Sequence, residues 1–147
     1  KPGNVQELRV RLMDAMWDDV GVMRDAAGLK RGIEKIASLK SDMENVGVSG
    51  DNLAFNLSWH DWLSLQSLID TSEVIAKAGL SRENSRGAHF REDFPDAGSL
   101  DDSYFTIATS GDKGIEVSRE AVKFTIVKPG ESLLGADEAE TLVEAAQ

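Results

Sequence analysis

Three apolar stripes, each repeating at three- and four-residue steps, fill the first eighty residues and constrain the fold more than any other feature. Val5, Leu8, Leu12 and Ala15 form the first, so residues 4–20 read as a helix with one apolar face. Asn4 stands where its side-chain oxygen can accept from an early unpaired backbone N–H. Leu29, Ile33, Ile36, Leu39 and Met43 form the second, a helix over about 27–46 that ends at Asn45, Gly47, Ser49, Gly50 and Asp51. The third runs from Ser58 to about Leu80, with Trp62, Leu65, Ile69, Ser72, Ala76 and Gly79 along one face. Small residues at 72, 76 and 79 leave room there for a neighbouring helix. Short connections set consecutive helices antiparallel, so the expected fold is mainly α: an up-down-up three-helix bundle of spectrin-repeat type.

The period changes after Pro95. Tyr104 to Thr109 reads as a β-run, followed by a turn at Ser110-Gly111-Asp112-Lys113-Gly114. Ile115 and Val117 then alternate with polar residues, as do Val122, Phe124 and Ile126. The expected division is a bundle over 1–96, a small β-hairpin or strand region over 97–130 and an acidic tail over 131–147. The tail could form a short helix over 136–146. Two or three strands alone are marginal in water, so this region must lie against the bundle or against another surface.

At 147 residues the chain has room for one compact domain and a small appendage. Its net charge of −10 repels phosphate backbones, so nucleic acid is not an expected partner. Trp17, Trp59 and Trp62 are expected in the core or at the bundle ends, because Asp18, Asp19 and Asp61 stand where a base-stacking platform would need cations. The adjacent acids Asp18-Asp19 and Asp101-Asp102 read as solvated surface. With no cysteine and only His60 and His89, thiolate-based metal sites and histidine-rich ones are excluded, so no metal ligand is assigned. There is no G-x-S-x-G elbow for a hydrolase and no G-x-G-x-x-G turn to cradle a pyrophosphate. No apolar run approaches the roughly 20 residues of a membrane span, so direct membrane insertion is not expected and a cytoplasmic location is.

One segment stands out from this acidic background: Arg82-Glu83-Asn84-Ser85-Arg86-Gly87-Ala88-His89-Phe90-Arg91-Glu92-Asp93-Phe94-Pro95. Arg82, Arg86 and Arg91 carry planar forks suited to bidentate pairing with carboxylates. Gly87 permits a left-handed backbone where the third helix stops, and Pro95 keeps the chain from re-entering helix. Two readings stand side by side. In one, these arginines and His89 form a docking surface; in the other, a local knot in which Arg86 and Arg91 pair with Glu83, Glu92 or Asp93. His89 also has the residue type for proton transfer near neutral pH.

The segment resembles the R-x-E-S-R-G-x-H-x-R-x-D-[FY]-P signature of FAD-dependent flavoproteins of the succinate dehydrogenase and fumarate reductase family, which includes L-aspartate oxidase. Arg82, Ser85, Arg86, Gly87, His89, Arg91, Asp93, Phe94 and Pro95 fall on the pattern, while Asn84 stands where the family usually has Glu. Met16 to Arg24 is similar to the family's first-helix pattern, a Met before a Val-Gly-x-x-Arg step, and the resemblance covers about residues 5–96. It implies the C-terminal domain of a larger oxidoreductase that moves a hydride between a dicarboxylate and FAD. The implied partners are the FAD-binding and capping domains, with an iron–sulfur subunit as a further candidate and membrane association only through partner subunits. The resemblance places the hydride-transfer arginine and the dicarboxylate-binding residues in those other domains. It assigns no catalytic or cofactor-binding residue here, so this chain alone is expected to bind no FAD and to be inactive. The alternative is a stand-alone helical module that binds partner proteins without chemistry.

Overall fold

The computed structural model describes residues 4–50, 52, 54–112 and 114–133. Three helices, α1 (Val5–Val20), α2 (Ala26–Met43) and α3 (Leu57–Ser81), form the up-down-up bundle. Each begins with a side chain that satisfies an orphan N–H. Asn4 accepts from Gln6 N at 2.9 Å, Asp25 from Gly28 N at 2.5 Å and Asn56 from Trp59 N at 3.1 Å. The apolar stripes converge as their spacing implies: Leu8 and Leu12 of α1, Leu29, Ile36 and Leu39 of α2, and Leu65, Ile69 and Ala76 of α3 are buried together. Each buried Leu or Ile contributes about 1.5–3 kcal/mol by leaving water. Gly32 lets α1 and α2 close up, since a Cβ there would lie 2.7 Å from Val20 Cγ2.

Two expectations about side-chain placement fail, each for a reason of helical phase or partner choice. Trp17 is 80% exposed rather than packed. It lies two residues from both Ala15 and Asp19, which places it about 200° around α1 from the core. Trp59 sits at the edge of the bundle, and Trp62 alone packs against the core, donating Nε1–H to Val46 O at 3.0 Å. Asp19, expected on the surface, is buried on the core side of α1. Burial would raise its pKa, but the bonds from Lys35 (2.6 Å) and Arg31 (3.1 Å) outweigh that and hold its carboxyl below the ordinary value.

Two small sheets complete the fold. β1 (Met23–Arg24) and β2 (Phe90–Arg91) pair in parallel, tying the chain after α1 to the arginine-rich segment. β3 (Tyr104–Gly111) and β4 (Gly114–Ala121) form the expected antiparallel hairpin. The alternation at Val122, Phe124 and Ile126 does not extend it. Val122 N donates to Ser103 O at 2.9 Å, the chain bends at Thr125 and Ile126, and Ile126 is 80% exposed. The helix expected over 136–146 lies outside the described residues.

Candidate functional site

The end of α3 explains the arginine-rich segment. A helix leaves its last carbonyls without intrahelical partners. Arg91, carried back by β2 and only 1% exposed, supplies them: Nη1 donates to the carbonyls of Gly79 (3.0 Å), Leu80 (3.2 Å) and Arg82 (3.0 Å). The rest of the guanidinium forms a bidentate fork on Asp93, Nε to Oδ1 and Nη2 to Oδ2, both at 2.7 Å. Asp93 Oδ2 also accepts from the backbone N of Ala26 at 3.0 Å, the first residue of α2. One ion pair thus places its cation at the C-terminus of α3 and its anion at the N-terminus of α2, where each helix dipole favours it. Hydrogen bonding from Arg91 pulls the Asp93 carboxyl down to about 2, and Asp93 in turn raises Arg91 above its ordinary value.

The other signature residues hold the connection in place. Ser85 Oγ accepts from Arg91 N and donates to Phe94 O, both at 2.8 Å, while Ser85 N donates to Asp96 O at 2.9 Å. Exposed Pro95 therefore lies between two carbonyls that Ser85 grips. Arg86 and His89 exchange backbone hydrogen bonds of 2.9 and 3.1 Å across a tight turn. Gly87 turns the chain there at φ +59°; it does not cap α3, which ends at Ser81 with Arg82 as its cap. Among the described residues Arg86 pairs with no carboxylate. It donates to Ala97 O (2.6 Å), Ser103 Oγ (3.0 Å) and Ser99 O, fastening the loop that leads to β3. The expected network of ion pairs is thus one pair, Arg91–Asp93, surrounded by arginine-to-carbonyl bonds, because the turn brings carbonyls nearer than Glu83 or Glu92. Arg82 lies 5.9 Å from the Tyr104 ring centre and pairs with no carboxylate among the described residues.

Arg24 is the functional neighbour that sequence reasoning missed. Its Nη1 donates to His89 Nδ1 at 3.0 Å, and its Nε to the carbonyls of Gly21 (2.7 Å) and Val20 (3.1 Å). A guanidinium only donates, so Nδ1 must accept and the ring proton sits on Nε2, which faces Arg82 O at 3.3 Å. Burial, and then the charges of Arg24, Arg82 and Arg91, push the His89 pKa below its ordinary value. Both ring nitrogens are engaged in hydrogen bonds within the chain. The available signal was Gly21, the C-cap of α1, where a Cβ would lie 2.5 Å from Trp17 O and only glycine fits. Asn84, standing where a Glu was expected, is buried with no partner for Oδ1 among the described residues.

The side chains of Ser85, Arg86, His89, Arg91 and Asp93 thus join helix ends or loops of their own chain. Among the described residues there is no group of three His, Asp or Glu suited to a metal, and no helix is long and apolar enough to cross a membrane. The family model of the fumarate reductase flavoprotein C-terminal region matches residues 9–133. The fumarate reductase flavoprotein subunit of Haemophilus influenzae is 30% identical over 132 residues, 89% of this chain and 22% of the relative. An uncharacterized FAD-dependent oxidoreductase of Methanocaldococcus jannaschii is 36% identical over 93 residues, 63% of this chain and 16% of the relative. The Mycobacterium smegmatis Sdh1 complex in the apo form superposes with a TM-score of 0.73 at 28% identity, covering 96% of this chain and 24% of that one. The chain belongs to the fumarate reductase flavoprotein C-terminal family. It spans roughly a fifth of the length of these relatives.

Proposed function

We propose that this chain acts as the C-terminal helical domain of an FAD-dependent flavoprotein of the succinate dehydrogenase and fumarate reductase type. It packs against the FAD-binding and capping domains and fixes their geometry, while the parent oxidises or reduces a dicarboxylate by hydride transfer. One observation carries the reading: the signature is spent on joining the C-terminus of α3 to the N-terminus of α2 through Arg91 and Asp93, which is a rigidifying task. The chain's own residues do not fit the cofactor's pyrophosphate. A free helix N-terminus is a ready phosphate site, but the N-termini of α1, α2 and α3 are closed by Asn4, Asp25 with Asp93, and Asn56. We accordingly assign FAD to the other domains and route no step of the reaction through the residues described here.

The test is to purify the natural polypeptide that carries this segment. Flavin absorbance, with succinate oxidation or fumarate reduction, is the expected result. A colourless product without dicarboxylate turnover overturns the proposal. In the flavin-loaded protein, Arg86→Ala is expected to speed flavin loss and lower the melting temperature while leaving the chemistry of the retained flavin intact.

A further inference from the structure

α1 has two apolar faces. Leu8, Leu12 and Ala15 point into the bundle and are buried. Val10, Met13 and Trp17 recur at three- and four-residue steps on the opposite side and are 55%, 65% and 80% exposed. A helix apolar on both sides is one built to be sandwiched, and three large apolar side chains in line exceed the single ones normal for a surface. Beside this stripe, also at helical spacing, run Glu7, Asp14 and Asp18. None of these three acids has a salt bridge among the described residues, whereas other exposed acids such as Asp42, Asp61 and Asp70 are paired with Arg11, Arg9 and Lys40.

We infer that the outer face of α1 is the seat of a second protein surface, apolar at its centre and basic along one edge, in the flavin-bearing part of the parent. This rests on the function proposed above and adds which face of the domain docks and what chemistry receives it. Arg86 and Arg91 of the signature are not that face, because their donors are already spent within the chain. Self-association is the poorer occupant. Two copies meeting through this stripe would set Asp14 and Asp18 against their own counterparts, on chains that each carry a net charge of −10. A basic edge would instead give both acids partners while Trp17 becomes the central aromatic anchor.

The experiment uses the complete flavoprotein with Trp17→Glu, Trp17→Phe and Asp14→Lys/Asp18→Lys, all on the side of α1 away from the core. Flavin dissociation and hydroxyl-radical labelling of Met13 are the readouts. Met13 is expected to be protected in the unaltered protein. Trp17→Glu is expected to speed flavin loss about thirtyfold, the effect of removing an interface anchor, and to unmask Met13. Trp17→Phe should restore most of both, and the double lysine variant should loosen binding by charge repulsion. A flavin-loaded protein in which Met13 is freely labelled and Trp17→Glu changes nothing overturns the inference while leaving the proposed function standing. A double lysine variant that binds more tightly overturns the basic edge, and a dimer abolished by Trp17→Glu assigns the face to a second copy. A colourless natural product overturns this inference and the proposed function together.

Discussion

The knot at the end of α3 and the hairpin after it are neighbours that hold together in opposite ways. In the knot, Arg91 is almost fully buried and makes five directed bonds, three to helix-end carbonyls and two to Asp93. The hairpin is a two-stranded sheet with Phe105 59% exposed, and it meets α3 through a few long side chains. Lys77 Nζ reaches Ile115 O at 3.1 Å, Arg119 reaches Ser81 O, and the Tyr104 ring lies near both the Arg82 and Arg119 guanidiniums. The difference explains why one region is written in fixed residue types and the other is not. A buried guanidinium must have a partner for its charge, which dictates Asp93, Ser85 and the turn at Gly87. A rim of exposed side chains can be satisfied by many sequences.

The comparison breaks most sharply at Arg91. Arg91→Ala removes five bonds, leaves the Leu80 carbonyl without its partner and strips Asp93 of its fork, so a loss of about 3 kcal/mol is expected on chemical denaturation. A loss no larger than that from an exposed arginine would mean that the knot is not what secures the bundle's end. Acid probes the same pair from the other side. The Asp93 carboxyl titrates near 2 in the folded chain against an ordinary 3.8. A depressed carboxyl contributes stability that is complete above the ordinary value and disappears as pH falls through the folded one. Stability should therefore fall between about pH 4 and pH 2, and Asp93→Asn should flatten that part of the profile.

Arg86 gives the intermediate case, partly exposed and bonded only to carbonyls and a hydroxyl. Arg86→Ala is expected to cost about 1–2 kcal/mol, because the loop carbonyls it releases can turn to water. Hydrogen exchange should rise over residues 96–103 and stay low in α3. Equal loosening of α3 would place Arg86 within the knot itself.

Much of this was legible in the sequence, and the exceptions share a cause. The bundle follows from the spacing of Leu8, Leu12, Leu29, Ile36, Leu65 and Ile69, whose burial depends only on helical phase. The same phase, applied to single residues, would have turned Trp17 outward and Asp19 inward; the pull of residue type hid it. The knot was half legible. Arg91 and Asp93 stand two residues apart, but their use as caps depends on Gly79, Leu80 and Ala26, and backbone groups leave no mark in residue type. Arg24 was hidden because its link to His89 crosses 65 positions and passes through a two-residue strand too short to read.

His89 sharpens the comparison further, since it sits inside the cluster of arginines and is held neutral there. Its pKa is lowered, first by burial and then by Arg24, Arg82 and Arg91. The unfolded chain then takes up the proton at a higher pH than the folded one. The neutral ring's contribution is complete above the ordinary value of 6.5 and is lost as pH falls below it. A mild decline in stability is expected below pH 6.5, separate from the Asp93 transition and absent in His89→Gln. Persistence of the decline in that variant would assign it to another group.

The smallest effect belongs to the hairpin. Tyr104 presents its ring 4.6 Å from the exposed Arg119 guanidinium and 5.9 Å from that of half-buried Arg82, and cation–π attraction near a surface is worth about 0.5–1 kcal/mol. Tyr104→Leu keeps an apolar side chain in the strand and removes the quadrupole, so global stability should fall by no more than about that amount. Proteolysis within residues 104–121 should nonetheless become faster, because weak attachment shows first as local opening. Were Tyr104→Leu to unfold the bundle as Arg91→Ala does, the hairpin would be part of the same cooperative unit as the knot, and the contrast between a buried, fully bonded end and a lightly held sheet would be wrong.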